Sequence, residues 1–455
     1  MAKKKMSYWE LRNILDEEKM HRSLDSKEAV IINAYLKGQK YLSNEVQKIY
    51  KRYLNKTGLS ENEVKKILNT SIAPDALVEL QSLVKTVKSP DIKKQVQNYL
   101  TGLAVKHRIT RLEELKAKSY IVSKQIADVQ LRTSTDFYID VIQDSYKTAS
   151  VESIIGQTEK SFSLYDDGKY KSIDIIDGKL QLDILDDSNK VVKSIDLIKD
   201  SPVKEFKELS TKYVNNILES DWKGSNYSKR IWNDTDLLAK RLEEMFAVKE
   251  MTGMSERDMS KELAKEFGTS ISVAKRLVRT EANYVAGQAK LKGWKEHGVT
   301  HYILLAVLDL RTSIICKEKD SQIHEVAKAI CNGKFGNYPP FHPWCRTIAV
   351  AYFGKNSLNG KRIANDPISN KTFSISQSDG YKKWEELLLA KHGQANFDLQ
   401  KKKVKQYKVD LIQFNKYRKI LGKDLLPKTL DDFQNLKYTD KEKWNEILKL
   451  LKQQK

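Results

Sequence analysis

The sequence predicts an α+β protein that is mainly α-helical, with elongated helical arms around a small α/β core and an inserted β-meander. Three observations carry this reading. Apolar residues recur at helical spacing over long stretches, one segment switches to two-residue alternation bounded by Asp-Gly pairs, and two short apolar runs bracket a compact cysteine-bearing loop.

The chain has 455 residues, more than the roughly 250–300 at which a single core stops growing. Its pattern changes mark four segments: an N-terminal helical region 1–160, a β-hairpin insertion 161–200, a core domain 201–356 and a C-terminal basic helical extension 357–455. In the first, Val30, Ile31, Ala34, Tyr35, Leu42, Val46, Ile49, Tyr50, Tyr53 and Leu54 form a helical stripe. Ser60 followed by Glu63 predicts a capping box before Val64, Ile67 and Leu68, and Ser89-Pro90 predicts a cap with a first-turn proline.

In the second segment Ile173-Asp174-Ile175 and Leu180-Gln181-Leu182-Asp183-Ile184-Leu185 alternate, separated by Asp167-Gly168, Asp177-Gly178 and Ser188-Asn189. Asp-Gly between alternating runs predicts hairpins, because both central turn positions adopt positive φ. No Asp-x-Asp-x-Asp-Gly loop is completed by a glutamate at the calcium-binding offset, so the acids read as solvated strand faces. Helices return near 203. Ser255 predicts one helix start, and Gly268-Thr269-Ser270 predicts a break followed by a second helix, a helix-turn-helix outline. Ala274, Leu277, Val278 and Ala282 read as its buried face, with Lys275 and Arg276 outside.

The runs Tyr302–Leu308 and Thr347–Phe353 predict two buried strands. In the fourth segment Tyr381–His392 predicts a helix ended by Gly393, and Thr429 with Asp432 and Thr439 with Glu442 predict two more starts. Residues 401–455 hold 16 Lys or Arg against 7 Asp or Glu.

Charge bounds the partners. The net charge is +21, from 81 basic and 60 acidic residues, enough to attract polyanions in a salt-dependent way. Double-stranded DNA, bound without sequence preference, is therefore one expected partner; basic charge scattered over solvated helices is the other reading. Cys316, Cys331 and Cys345 are the only cysteines, an odd number that argues against a secreted disulfide framework. The basic start is followed by Ser7-Tyr8-Trp9 rather than an apolar run, so no signal peptide is expected. No stretch approaches the ~18 apolar residues of a membrane span. The sequence also lacks a phosphate-cradling Gly loop, His-Glu-x-x-His and Gly-x-Ser-x-Gly.

The most informative strings are Arg276-Leu277-Val278-Arg279-Thr280-Glu281, Asp309-Leu310-Arg311-Thr312-Ser313-Ile314-Ile315-Cys316-Lys317-Glu318-Lys319-Asp320 and Pro339-Pro340-Phe341-His342-Pro343-Trp344-Cys345-Arg346. In this order and with these gaps, residues 277–353 resemble the core of the phage Mu F-like head-morphogenesis family. Asn226–Trp232 and the stretch around Tyr417–Gly422 resemble flanking parts of longer phage minor head proteins. The resemblance implies a non-enzymatic minor head (minor capsid) protein of the virion, in the head interior after assembly in the host cytoplasm. It also implies a role in head morphogenesis or in DNA packaging and ejection, with portal, scaffold or major capsid protein as partners and no membrane. The sequence departs from the pattern twice: Ser313 stands where many relatives have the first cysteine of Cys-x-x-Cys, and Asp320-Ser321 where many have Asp-Gly.

From the residues alone, Cys316, His342 and Cys345 offer two thiolates and an imidazole to a structural zinc, with His324, Cys331, Asp309 or Asp320 as a fourth ligand. Packing in a small core, fixed by Pro339, Pro340 and Pro343, is the competing reading. Arg279, Glu281, Asp309, Arg311 and Arg346 are expected to meet in a buried ion network, with Asp320 and Pro340 as further structural residues of the motif. Two alternatives to a head protein stand beside it. One is a nuclease-like metal enzyme built on Cys316, His342 and Cys345, or a cysteine nucleophile with His342 as base and Asp309 as orienter; the other is a sequence-specific DNA regulator using 255–297.

Overall fold

The computed structural model describes residues 8–54, 60–72, 75–106, 109–162, 170–176, 179–185, 188, 190–196, 209–247, 251, 254–354, 361–376, 378–422 and 425–453. Its contacts divide the chain into two units, one of Leu11–Thr300 with Glu325–Cys345, the other of Met1–Glu10, His301–His324 and Arg346–Lys455. The mainly helical α+β class is what the structure shows, with small antiparallel sheets between long helices.

The first unit is built on helices α1 (Tyr8–Ile49), α2 (Glu61–Leu68), α3 (Asp75–Val84), α4 (Pro90–Ala104), α5 (Arg111–Phe162), α6 (Thr211–Glu219), α7 (Tyr227–Met245) and α8 (Glu256–Glu296). The 52-residue α5 runs along α8 and α7. Gly293 lets α8 approach, since a Cβ there would lie 2.9 Å from Ala149 Cβ and 3.2 Å from the Tyr146 carbonyl. The Ser60–Glu63 capping box forms in full. Ser89 does stand at the N-cap before Pro90, but its side chain makes no cap bond. Asp128 of α5 instead anchors the chain just ahead of α4, accepting from the Ser89 amide at 2.7 Å.

The expected break at Gly268 does not occur. α8 is one 41-residue helix capped by Ser255, whose hydroxyl accepts from the Asp258 amide at 3.2 Å. Met259, Leu263, Phe267, Ala274, Leu277 and Val278 carry one buried stripe straight through the glycine. Thr269 and Ser272 donate to the Lys265 and Gly268 carbonyls one turn back, satisfying their hydroxyls inside the helix instead of capping a new one. Tertiary burial outweighs the local cost of a mid-helix glycine, about 1 kcal/mol. With no turn there, the helix-turn-helix reading loses its basis.

The meander forms as β1 (Tyr170–Ile176), β2 (Lys179–Leu185) and β3 (Val191–Asp196), antiparallel in the order β1-β2-β3. Ile176 faces Lys179 and Leu182 faces Ile195. Asp167-Gly168, Asp177-Gly178 and Asn189 lie outside the described residues.

The second unit centres on β4 (His301–Leu305), which pairs antiparallel with β6 (Ile348–Tyr352), Leu304 facing Ala349; β5 (Ile323–Glu325) takes the other side of β4. These are the two predicted strands, each shorter than its apolar run. The hairpin β7 (Lys361–Asp366) and β8 (Lys371–Ser376) packs with α10 (Tyr381–Leu421): Ala364, Ile375, Tyr381, Trp384 and Leu388 share one core with Leu308. The short α9 (Ile314–Lys319) precedes β5. Gly393, at φ 76 and ψ 160, ends the first helical stretch of α10 as predicted. Beyond it, α10 packs with α11 (Leu430–Thr439) and α12 (Lys441–Gln453) around Phe414, Leu421, Phe433, Ile447 and Leu451. Thr429 caps α11 through the Asp432 amide at 3.1 Å. α12 starts differently from the expectation. Asp440 accepts from the Lys443 amide at 3.0 Å, whereas Thr439 is still inside α11, donating to the Asn435 carbonyl.

Candidate functional site

The loop that carries the sequence motif is held by its own backbone and by α8. Tyr338 donates to the Gly287 carbonyl at 3.0 Å, and a Cβ on Gly287 would come 2.8 Å from the Tyr338 ring, so only glycine permits this seat. The Asn337 side chain accepts from the Ile330 amide at 2.7 Å and donates to the Lys328 carbonyl at 2.9 Å, closing the loop on itself. Pro339 and Pro340 are buried and joined by a cis peptide bond.

His342 and Cys345 form a tight turn. The Cys345 amide donates to the His342 carbonyl at 3.1 Å, and Trp344 takes a left-handed φ of 63. The turn is fastened to α8 twice, by Trp344 N–H to Thr280 Oγ1 at 3.2 Å and by Asn283 Nδ2 to the Cys345 carbonyl at 2.8 Å. It brings a ring nitrogen of His342 and Sγ of Cys345 within 4.8 Å of each other. Nδ1 of the imidazole lies 2.7 Å from the Pro343 carbonyl, which can only accept, so the ring makes this contact with Nδ1 protonated. Metal-bound histidines are commonly oriented in this way.

Cys316 is buried in α9. Ser313, which departs from the family pattern, is the N-cap of that helix and accepts from the Cys316 amide at 3.2 Å. Its hydroxyl does what a thiol does poorly. Of the fourth-ligand candidates, Cys331 donates to the Pro339 carbonyl at 3.4 Å, and burial pushes its thiol up to about 12. It is a half-buried group packed against the helical core. His324 packs against the Tyr302 ring, and burial followed by Lys319 holds its imidazole below the usual range.

The carboxylates are committed elsewhere. Asp309 accepts from both Arg346 nitrogens at 2.5 and 2.8 Å, from the Arg311 amide at 2.9 Å and from Thr312 at 3.1 Å. Burial alone would raise its carboxyl, but Arg346, with Thr312 and Arg311, holds it below the ordinary value. Arg311 itself is exposed and only grazes Asp309 at 3.8 Å. Asp320 is a hub: it accepts from the Ala306 amide at 2.6 Å, the Tyr381 amide at 2.6 Å and both Arg362 nitrogens at 3.1 Å. Arg362 also donates to the Ala306 and Asp379 carbonyls. Tyr381 donates to the Asp309 carbonyl at 2.9 Å, so α10 reads both acids.

The expected single ion network is therefore divided. Glu281 does not meet Arg279; it pairs with Arg230 and accepts from Trp222 Nε1 at 2.9 Å. Arg230 lies over the Trp222 ring, which stacks on Tyr284 at 5.0 Å. Burial raises the Glu281 carboxyl in spite of Trp222 and Arg230. Arg279 reaches back to α1, pairing with Glu28 at 2.5 Å and Asp25 at 2.9 Å, with its guanidinium 5.7 Å from the Trp344 ring. The reason is helical geometry: positions 279 and 281 are two apart on α8, so they face different neighbours. Trp222, Arg230 and Arg362 carry no chemical motif of their own in the sequence, although Arg230 lies in the flanking string Asn226–Trp232. Nothing local marks Arg362 as the partner of Asp320.

The catalytic alternative loses its orienter, because Asp309 is saturated by Arg346, Thr312 and the Arg311 amide while His342 Nδ1 faces Pro343. Residues 242–350 match the family model described as Phage Mu protein F like protein. The match takes in the end of α7, all of α8 and both strings of the cysteine loop. No curated protein and no solved structure matches the chain.

Proposed function

We propose that this chain, Mu F-like over residues 242–350, is a phage minor head protein with a structural role in head morphogenesis or in DNA packaging and ejection. The family match is the observation that carries the proposal. The commitment of Asp309, Asp320 and Glu281 to arginines agrees with it, since a nuclease needs carboxylates available to a metal. Portal, scaffold or major capsid protein are its proposed contacts, and its net charge of +21 its means of touching duplex DNA without reading sequence. No described helix is long and apolar enough to cross a membrane. The test is loss of the gene from its phage, read by head composition and packaged DNA. Heads lacking the chain should be empty or fail to deliver DNA; full, infectious particles without it would overturn the reading. Duplex binding should weaken by at least about tenfold between ~50 and ~200 mM salt.

A structural zinc held by Cys316, His342 and Cys345 is the second part of the proposal. It is favoured by the His342–Cys345 turn, which brings one ligand atom of each residue within 4.8 Å of the other. Bound zinc would supply a cross-link in place of a larger apolar interior. Metal analysis of the purified chain should find about one zinc, lost in Cys345→Ser and His342→Ala and retained in Cys331→Ser. A metal-free chain whose melting is indifferent to zinc and chelator would end this part.

A further inference from the structure

The three-helix tail packs imperfectly at one end. Between the last turns of α10 and α12 lies a groove of about 500 Å³. Tyr417, Ile420, Leu448 and Leu451 line its floor, and Lys416, Lys449 and Lys452 stand at its rim. Leu451 is buried in the bundle core, whereas Tyr417, Ile420 and Leu448 are only partly covered, so apolar surface that the three helices could have shared is left facing outward. The three lysines are exposed, and among the described residues no carboxylate lines the groove. The floor is held in place from beneath: Tyr417 stacks on Trp444 at 6.0 Å, and both ring systems meet Phe433.

We infer that this groove seats an amphipathic helix of a partner protein whose polar face is acidic. The argument is charge complementarity on an apolar strip. A helix laid between α10 and α12 would bury leucine-type side chains one turn apart against Ile420 and Leu448, while its glutamates or aspartates met the lysine rim. Nucleic acid fits less well: phosphates would use the lysines but gain nothing from four apolar side chains on the floor. The inference rests on the tail alone and holds whatever residues 242–350 do.

The full-length chain is titrated with a fluorescent helical peptide of about four turns, Leu on one face and Glu on the other, and with its Lys-faced counterpart. The Glu-faced peptide should bind at least about tenfold more tightly than the Lys-faced one, an order expected where opposite charges meet at a rim. Lys416→Glu/Lys449→Glu/Lys452→Glu should reverse that order, and Leu448→Gln should weaken both peptides. All three lysines are exposed, so the charge variant keeps its fold, checked by its helical circular dichroism. Equal affinity for the two peptides would overturn the inference. So would a preference that survives charge reversal. If duplex DNA displaces the Glu-faced peptide and itself depends on the three lysines, the groove belongs to nucleic acid and the inference fails. A dimer of the chain that dissociates on charge reversal would instead give the groove to a second copy.

Discussion

The strand-and-loop region from β4 to α10 and the bundle of α5, α7 and α8 use buried charge in opposite ways. In the bundle the backbone is already satisfied by helical hydrogen bonds, and an apolar stripe sets the packing; Glu281 with Arg230, or Lys124 with Asp236 at 2.7 Å, are added to a frame that exists without them. Between β4 and α10 the frame itself is made of charge. Asp320 accepts from two backbone amides and Arg362 donates to two backbone carbonyls, so the pair substitutes for regular structure in a stretch that has little. A buried ion pair is weak grounds for stability in the first setting and a structural member in the second.

The most severe way to break this contrast is Asp320→Ala. It strands Arg362 together with the Ala306 and Tyr381 amides, and should cost about 3–5 kcal/mol, the range for breaking a buried pair, read as a fall in the denaturant midpoint. A loss near 1 kcal/mol would place the charge frame on a par with the bundle. Next, Glu281→Gln keeps an acceptor for Trp222 and should cost no more than about 2 kcal/mol. Because burial raises the Glu281 carboxyl, its contribution is fully present below its unfolded value and fades as pH rises through the folded one. The Gln variant should therefore compare better with wild type at neutral pH than in acid. Asp309 behaves in the reverse sense. Its lowered carboxyl gives stability present above the unfolded value of about 3.9 and lost as pH falls through the folded value, so Asp309→Asn should flatten the acid limb of the stability curve.

Smaller effects sharpen the helical side. Ser255→Ala removes the side-chain N-cap of α8 and should cost about 1 kcal/mol. Gly268→Ala should stabilise by about 0.5–1 kcal/mol, since a Cβ there meets nothing within 4 Å and the residue is helical. The sign alone decides: a left-handed turn at 268 would make the same change destabilising.

Local chemistry was legible in the sequence wherever the competing conformations differ locally. The Ser60–Glu63 box, the Thr429 cap, the stop at Gly393 and the β4–β6 runs are all of this kind. Gly268-Thr269-Ser270 misleads because these residues end helices and are also tolerated in them, and what decides is the burial of Phe267 and Ala274 on either side. The His342–Cys345 spacing revealed a turn able to present two ligands, but the fasteners of that turn, Thr280 and Asn283, lie on a helix some sixty positions away. Pairings such as Asp320 with Arg362 or Arg279 with Glu28 are products of tertiary folding and leave no periodic trace.

α8 also has a mechanical meaning once Gly268 is known to be no joint. At 1.5 Å per residue, its 41 residues make a beam about 60 Å long. The His342–Cys345 turn is bolted to it at Thr280 and Asn283, and Arg279 braces the same stretch against α1. A load applied near Ser255 is carried along one unbroken column of hydrogen bonds to the motif loop, so this part of the molecule acts as a strut.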